Sequence, residues 1–247
     1  MSTPSNLIIV CCHGIWLGGP FKGHNESEWL IADFQHGETP TFIEHIKAGI
    51  RCLSEDRSNS VLIPSGAPTR RETSLSEAQS YVNVAIQNEY FSLLEAPIID
   101  GEIILEERAL DSYHNVLFSL TLFHMRFGYW PQKVTIISHA FKKPRVVDGH
   151  CVAIGFPLER VSFVGIDPPG LKDKEGAMMG VSEAVGDWED DPHGRGNKLA
   201  SKRVRRNVWG TWQGVFEEGI YESRKGGLRT VGHGEMESLI DGERPWL

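Results

Sequence analysis

The stretch IISHAFKKPR places an imidazole and three cations directly after a short apolar run. Ser138 and His139 end the run, and Lys142 and Arg145 follow shortly after it. Guanidinium and ammonium groups bind phosphate and carboxylate oxygens, and an imidazole with an unperturbed pKa of ~6.5 can transfer protons near neutral pH. The stretch therefore predicts either an anion-binding site with His139 as acid or base, or a solvated basic loop.

Candidate ligand-binding residues, most of them polar, also follow three other apolar runs of the chain. They are His13, Gly14 and Trp16 after the first run, Ser65, Gly66, Thr69, Arg70 and Glu77 after the second, and Glu107, Asp111, Ser112 and Asn115 after the third, with His150 beyond the fourth. Carboxylates accept paired hydroxyl or ammonium donors, and glycine lets the backbone approach a ligand closely. The set predicts a small-molecule site with acidic and basic partners, in which His13 and Glu107 are further catalytic candidates.

Five short apolar runs must position these side chains, and we predict them to be strands. They are residues 7–12, 60–64, 102–106, 133–138 and 161–166. Each is almost continuously apolar, as is typical of parallel strands covered on both faces. Between them lie segments with helical spacing, at 39–53, 74–91 and 109–128. The alternation predicts a Rossmann-like α/β fold, with a doubly wound, mainly parallel sheet of about five strands and helices on both faces.

The predicted helices carry signals at their ends. Ser74 with Glu77 three residues later matches a capping box, and Gly128 is a helix stop. Asp111 and Asn115 are spaced to share a helix face with Glu107. Since ligands bind outside the carboxyl ends of the strands in such a sheet, the polar segments are expected to meet in one site.

The pattern changes after about residue 168, where glycine becomes frequent and apolar spacing weakens. We predict one helix around 175–186 and a second one that begins near Lys198. The predicted organisation is a single domain over 1–247, with a sheet core at 1–168 and an irregular and helical C-terminal cover at 169–247.

Five cations lie between Lys198 and Arg206, with Trp209 and Trp212 close by. Basic residues interleaved with aromatic ones can bind single-stranded RNA. The net charge of −8 argues against nucleic acid as a partner. We favour a helix face that is solvated or paired within the molecule, from which Arg203 and Arg206 could fold back over the site.

The composition, 40% hydrophobic and 23% charged, predicts a soluble globular protein. No apolar run reaches the ~18 residues of a membrane span, and the N-terminus lacks the basic region of a signal peptide. None of the four cysteines has CxxC spacing, so we expect reduced thiols, a cytoplasmic location and no metal. The expected partner is a small-molecule substrate, without a membrane, and homo-oligomer formation stays open.

Several motifs are more specific than the apolar pattern. They are SG-x-x-TR…SEA at 65–78, E-R-A-x-D-S-Y-x-N at 107–115 and SHAFKKPR…H at 138–150. These motifs resemble those of the ElyC/SanA/YdcF family, known as domain of unknown function 218. A likeness to its soluble fungal branch is carried by CHGIW at 12–16, EWLIADFQHGETPTFIEHI at 28–46, NVLFSL at 115–120, DPHG at 191–194 and KR-x-x-RN at 202–207.

The resemblance implies a Rossmann-like α/β fold. Because one bacterial member binds S-adenosylmethionine, it also implies that compound or another nucleotide as a ligand. The implied pocket comprises His13, Gly14, Ser65, Gly66, Thr69, Arg70, Glu77, Glu107, Asp111, Ser112, Asn115, His139, Lys142 and Arg145. The fungal likeness implies specialised metabolism as a setting.

Three functional hypotheses follow. The first is a small-molecule enzyme, a transferase or hydrolase, that binds an adenosyl, nucleotide-like or other anionic ligand at the strand ends, with His139 or His13 as acid or base. The second is a sensor that binds a nucleotide at the same place without catalysis. The third is an RNA-binding protein that uses the basic segment 198–206.

Overall fold

The computed structural model describes residues 3–171 and 177–247. Its strands are β1 (Asn6–Cys11), β2 (Ile15–Trp16), β3 (Trp29–Leu30), β4 (Ser60–Ser65), β5 (Lys133–Ser138), β6 (Val161–Gly165), β7 (Thr230–Val231) and β8 (Ser238–Leu239). Its α-helices are α1 (Thr39–Glu55), α2 (Glu77–Gln87), α3 (Ser112–Phe127), α4 (Val152–Ile154), α5 (Ala177–Asp190) and α6 (Asn197–Arg206). A π-helical segment, Pro144–Cys151, leads directly into α4.

The central sheet has four parallel strands in the order β4-β1-β5-β6. Strand β1 is therefore flanked by β4 on one side and by β5 on the other. Such strands bury both faces, which explains why their sequences are almost continuously apolar. The predicted α/β fold with a parallel sheet is confirmed.

The predicted strand at 102–106 is wrong as a regular fifth strand. This segment runs parallel to β4 at the edge of the sheet, where it forms only two isolated bridges, Leu62 with Ile103 and Ser65 with Glu106. Pro64 lies between the two bridges and has no N–H to donate, so it interrupts the ladder. With this edge segment included, the spatial order of the chain segments is 3-2-1-4-5, which is the Rossmann strand order 3-2-1-4-5-6 without its sixth strand.

Helices cover both faces of the sheet, and the side chains of β1 alternate between them. Leu7, Ile9 and Cys11 enter the core on the α3 side. Ile8, Val10 and Cys12 enter the core on the other face, together with buried apolar side chains of α1 and α2. The sheet is therefore doubly wound, as predicted.

The helix ends agree with the predictions in one case and differ in another. Gly128 adopts a left-handed conformation at the end of α3, with φ of 82°, as expected for its C-cap. The capping box predicted for Ser74 is wrong, because α2 is capped by Ser76, whose hydroxyl accepts the N–H of Gln79 at 2.8 Å. Glu77 is consequently the first residue of the helix, and its carboxylate is not used for capping.

The part of the chain after residue 168 is better packed than its sequence suggested. The helix predicted around 175–186 is α5, although 175 and 176 lie outside the described residues, and the helix predicted near Lys198 is α6. Buried side chains from this part complete the core on the α3 side: Trp188, Leu199, Val215, Phe216, Leu228, Leu239 and Trp246. Within 3–171 and 177–247, no helix has the length and apolarity to cross a membrane.

Candidate functional site

A cavity of about 480 Å³ lies at the carboxyl ends of the central strands. Strands β1 and β5 are neighbours, but the chain leaves them toward opposite sides of the sheet, which opens a crevice at this switch point. Helix α6 and the end of α5 cover the crevice. Twelve of the predicted site residues line it: His13, Thr69, Arg70, Glu77, Asp111, Ser112, Asn115, Ser138, Lys142, Arg145, Arg203 and Arg206.

Seven predicted site residues do not line the cavity. They are Gly14, Trp16, Ser65, Gly66, Glu107, His139 and His150. Trp16 is buried in the core, where its indole N–H donates to Glu28 at 2.9 Å. Gly14 packs closely against Phe42, since a Cβ there would lie 3.3 Å from that ring. These two residues support the fold rather than the cavity.

Ser65 and Gly66 lie behind the cavity wall and position residues that do line it. The amide of Asn115 donates to both the carbonyl and the hydroxyl of Ser65 at 2.9 Å. A Cβ at Gly66 would lie 2.9 Å from the Cβ of Glu77. The glycine therefore permits the close approach of α2 that brings Glu77 to the cavity.

Glu107 is exposed and lies outside the cavity, where it accepts the hydroxyl of Ser76 at 2.7 Å. Its predicted helical spacing with Asp111 is wrong, because α3 begins only at Ser112. In the extended segment before the helix, neighbouring side chains point in opposite directions. Glu106 therefore points inward, where it accepts the hydroxyl of Ser65 at 2.6 Å and burial raises its pKa.

One half of the cavity is strongly basic. The Lys142 Nζ lies 3.3 Å from the Nδ1 of His13, and burial together with the charge of Arg145 lowers the pKa of Lys142 to about 7. Burial also lowers the pKa of Arg145. Within the described chain, the Nε atoms of Arg145 and Arg70 are buried and have no hydrogen-bond partner. Unpaired buried donors are costly, so this half is suited to an anion.

Two of the carboxylates that line the cavity, Asp111 and Glu77, have pKa values shifted in opposite directions. Asp111 caps α3 by accepting the N–H of His114 at 2.9 Å, and it accepts Arg203 at 3.2 Å. Burial opposes ionisation of Asp111, but His114 and Arg203 outweigh it and hold the pKa well below its usual range. Burial raises the pKa of Glu77 even though Thr69 donates to it at 2.7 Å.

Three imidazoles cluster beneath the basic half. The ring centre of His139 lies 4.5 Å from that of His13 and 4.9 Å from that of His45. Burial lowers the pKa of His45 to about 4 and lowers those of His13 and His139 still further, so the cluster is uncharged at neutral pH. His139 is only 1% exposed and its Nε2 lies 3.6 Å from Glu38. Only His13 of the three lines the cavity.

His150 lies directly behind Ser112 rather than at the surface of the cavity. Its Nε2 is 2.8 Å from the Ser112 Oγ. Its ring packs edge-on against Trp188, with ring centres 4.5 Å apart. Burial, with a contribution from Arg145, lowers the pKa of His150 to about 3.

Several residues of the cavity have no signal in the sequence. Cys11 and Cys12 form part of its floor, although each belongs to a different face of the sheet. Gln35 holds the loop after β1 by donating to the carbonyl of His13 at 2.8 Å. Trp188 and Lys202 arrive from helices that are remote in the chain. Only the tertiary contacts of these segments place them here.

The basic helix α6 is paired largely within the molecule. Lys198 and Lys202 both contact Asp187, and Arg203 binds Asp111. The Arg206 guanidinium donates to the carbonyl of Leu110 at 2.8 Å, which draws it over the cavity. The interpretation of this helix as an intramolecularly paired face therefore agrees with its contacts.

The described residues hold no group of three or more histidine, cysteine, aspartate or glutamate side chains arranged to bind a metal ion. All four cysteines are unpaired.

The fold and the cavity define a Rossmann-like α/β protein with a ligand-sized crevice at its switch point. The chain belongs to the family of the uncharacterized protein YOR238W of Saccharomyces cerevisiae. The two are 30% identical over 209 residues, which cover 68% of this chain and 69% of the yeast protein. No family model matches the chain, and no solved structure matches it significantly.

Proposed function

We propose that the protein is a small-molecule enzyme that binds a nucleotide-like, anionic ligand in the switch-point cavity. The observation that carries this proposal is the imbalance of charge in the cavity. Six cations line it, Arg70, Lys142, Arg145, Lys202, Arg203 and Arg206, against three carboxylates, Glu77, Asp111 and Asp187.

Internal pairing leaves this excess of positive charge in place. Asp111 is neutralised by Arg203, and Asp187 by Lys202. The remaining carboxylate is Glu77, whose pKa is raised by burial. The other cations, with two buried guanidinium nitrogens that lack partners, are left for an anion such as a phosphate.

The rest of the cavity suits the neutral part of a nucleotide. Trp188 and Leu199 present apolar surface, and the ring of Phe34 stands exposed at the edge. The Asp111 and Glu77 carboxyl groups can accept ribose hydroxyls. The resemblance to the family that includes an S-adenosylmethionine-binding member supports the same ligand class and leaves that compound as one candidate.

His13 is the acid–base residue that we propose, with Lys142 beside it. A lysine with a pKa of about 7 can accept or give up a proton at neutral pH. His139 lies behind His13 and Glu107 lies outside the cavity, so we no longer assign them contact with the ligand. We further propose a cytosolic location, which the four unpaired cysteines support.

A thermal-shift titration with ADP, S-adenosylmethionine and inorganic phosphate tests the proposal. A compound present at 100 times its dissociation constant should stabilise the protein by ~2.7 kcal/mol. Lys142→Gln should reduce the Tm shift, whereas Lys143→Gln should not, because Lys143 is exposed and lies outside the cavity. Equal shifts in both variants, or no shift with any compound, would contradict the proposal.

The sensor hypothesis uses the same cavity and is separated from the enzyme by His13→Gln. Loss of turnover with ligand affinity retained supports the enzyme. Binding without any turnover in the wild-type protein supports the sensor. RNA binding is not proposed, because the basic helix is paired with Asp187 and Asp111. A steep dependence of RNA affinity on salt concentration would argue against that judgement.

A further inference from the structure

The pair formed by Ser112 and His150 is a second chemical feature of the cavity. Ser112 is the first residue of α3 and lines the cavity, whereas His150 is completely buried in the π-helical segment behind it. The 2.8 Å separation of the Ser112 Oγ and the His150 Nε2 is a hydrogen bond. A hydroxyl at a cavity surface that is bonded to an imidazole behind it is the arrangement of a nucleophile and its base.

We propose that Ser112 is a catalytic nucleophile, that His150 is its general base, and that the group transferred to Ser112 is a phosphoryl group from a phosphate ester. This inference rests on the proposed function, because it uses the same cavity and the same anion-binding half. It adds a covalent step that binding alone does not require.

The direction of the hydrogen bond depends on the tautomer of the imidazole. Burial and the charge of Arg145 keep His150 uncharged, so one ring nitrogen donates and the other accepts. The role of a base requires the tautomer in which Nε2 carries no proton and accepts the Ser112 hydroxyl. The Asp111 carboxylate, next to Ser112 in the chain, favours the protonated ring and can stabilise it when the proton arrives.

Packing holds the imidazole in the orientation that this role needs. Trp188 and Tyr113 contact the His150 ring at nearly right angles, with ring centres 4.5 Å and 5.8 Å away. Tyr113 is itself fixed by a 2.8 Å hydrogen bond to His193 and by stacking on Trp188. Aromatic neighbours thus hold the ring in place. In many catalytic triads a carboxylate has this role.

The surrounding charge selects the group that is transferred. Arg145 and Lys142 line the same cavity as Ser112, and among the described residues the Nε of Arg145 is buried without a hydrogen-bond partner. A phosphoryl group carries negative charge in the ground state and in the transition state, so fixed cations stabilise both. A neutral carboxylic ester would leave the buried Nε of Arg145 without a partner.

The reaction balances without a further reactant apart from water. The Ser112 Oγ forms a bond to phosphorus while the bond from phosphorus to the leaving oxygen breaks. The Ser112 proton passes to His150, and the leaving oxygen, which lies opposite the Ser112 Oγ in an in-line displacement, takes its proton from Lys142. Water next attacks the phosphoserine from that same side and gives a proton to Lys142, while His150 returns its proton to the Ser112 Oγ, and inorganic phosphate is released.

The test uses the full chain with p-nitrophenyl phosphate and a panel of nucleoside monophosphates. Release of phosphate should fall at least ~100-fold in Ser112→Ala and in His150→Gln, which is the range of a lost nucleophile or base. Ser119→Ala is the matched control, because Ser119 is buried on the same helix and does not line the cavity. It should retain the wild-type rate. Acid quenching followed by peptide mass spectrometry should find phosphate on Ser112.

Two results would overturn the inference while leaving the proposed function intact. One is wild-type turnover in Ser112→Ala. The other is the absence of phosphoserine at Ser112 with every ester of the panel, although ADP still raises the Tm. Faster turnover of p-nitrophenyl acetate than of the phosphate ester would overturn the choice of a phosphoryl group. Failure of the proposed function itself is recognised separately, by the lack of any Tm shift.

Discussion

Charge at the residue scale depends on burial and neighbours more than on residue type. Lys142 is half-buried between His13 and Arg145. Its pKa is lowered to about 7, so it can exchange a proton at neutral pH. The arginines nearby remain charged at any working pH. The cavity therefore combines fixed positive charge, which can hold an anion, with one amine that can titrate.

The pKa of Lys142 predicts a pH dependence of stability. Between its folded pKa of about 7 and the ordinary value of 10.5, the unfolded chain binds more protons than the folded one. The free energy of unfolding should therefore rise with pH across that window, relative to Lys142→Met. Chemical denaturation of both proteins at pH 7 and near pH 10 measures the difference. A difference that is the same at both pH values would show that the lysine is not perturbed.

The residue scale also shows where sequence reasoning fails. Glu107 and Glu106 are equivalent in the sequence, but only Glu106 points inward, since the segment is extended at this point. His139 belongs to a polar motif at a strand end, as expected, yet its ring turns into the core beside His45. Neither orientation can be derived from residue type and spacing alone.

At the scale of elements, strong periodicity predicted the helices, and a weak local signal misplaced the start of α2. The apolar stripe of α1 and the glycine stop of α3 are local properties, so the sequence contains them in full. The start of α2 depends instead on Ser76, whose hydroxyl also donates to Glu107, 31 residues further along the chain. Such a contact comes from the tertiary structure and has no counterpart in the Ser74 pattern.

The corrected cap of α2 predicts that two neighbouring serines differ in their effect. Ser76→Ala should lower the free energy of unfolding by about 1 kcal/mol, because it removes the acceptor for the N–H of Gln79. Ser74→Ala is the matched control and should leave stability unchanged, since Ser74 is exposed and lies outside the helix. Urea denaturation of both variants measures the effect. Equal losses of stability in the two variants, or a larger loss in Ser74→Ala, would show that Ser74 caps the helix.

The edge of the sheet shows how one residue changes an element. The segment 102–106 has the composition of a strand, and it does run parallel to β4. Pro64 removes one donor of the ladder, so the pairing is reduced to two bridges. The parallel α/β arrangement was therefore accessible from the alternation of elements, whereas the interruption of the fifth strand was not.

At the scale of the whole molecule, contacts between segments that are distant in the sequence stabilise the fold. Side chains from beyond residue 168, among them Trp188 and Trp246, share one core with α3. Arg203 reaches back to Asp111, and His193 reaches back to Tyr113. The weak apolar pattern of this part concealed its role, because its buried residues are dispersed along irregular chain.

For the site as a whole, the sequence predicted the location but not the contacts. The principle that ligands bind at strand ends predicted ten of the residues that line the cavity, and Arg203 and Arg206 were expected from a helix that folds back over it. The hydrogen bond between Ser112 and His150 and the covering helix with Lys202 emerge only from the folded molecule. Sequence reasoning locates the site, while the pairing of its charges and hydroxyls requires the structure.

Hydrogen–deuterium exchange in the presence of saturating ADP, and separately of S-adenosylmethionine, tests the central claim about the cavity most directly. We predict slower exchange at 11–13, 110–115, 138–145 and 199–206 with at least one compound, because these segments line the cavity. The groove beside Trp130 and Trp246, which lies elsewhere, should be unchanged. Protection confined to that groove, or no change anywhere with either compound, would contradict ligand binding at the switch point.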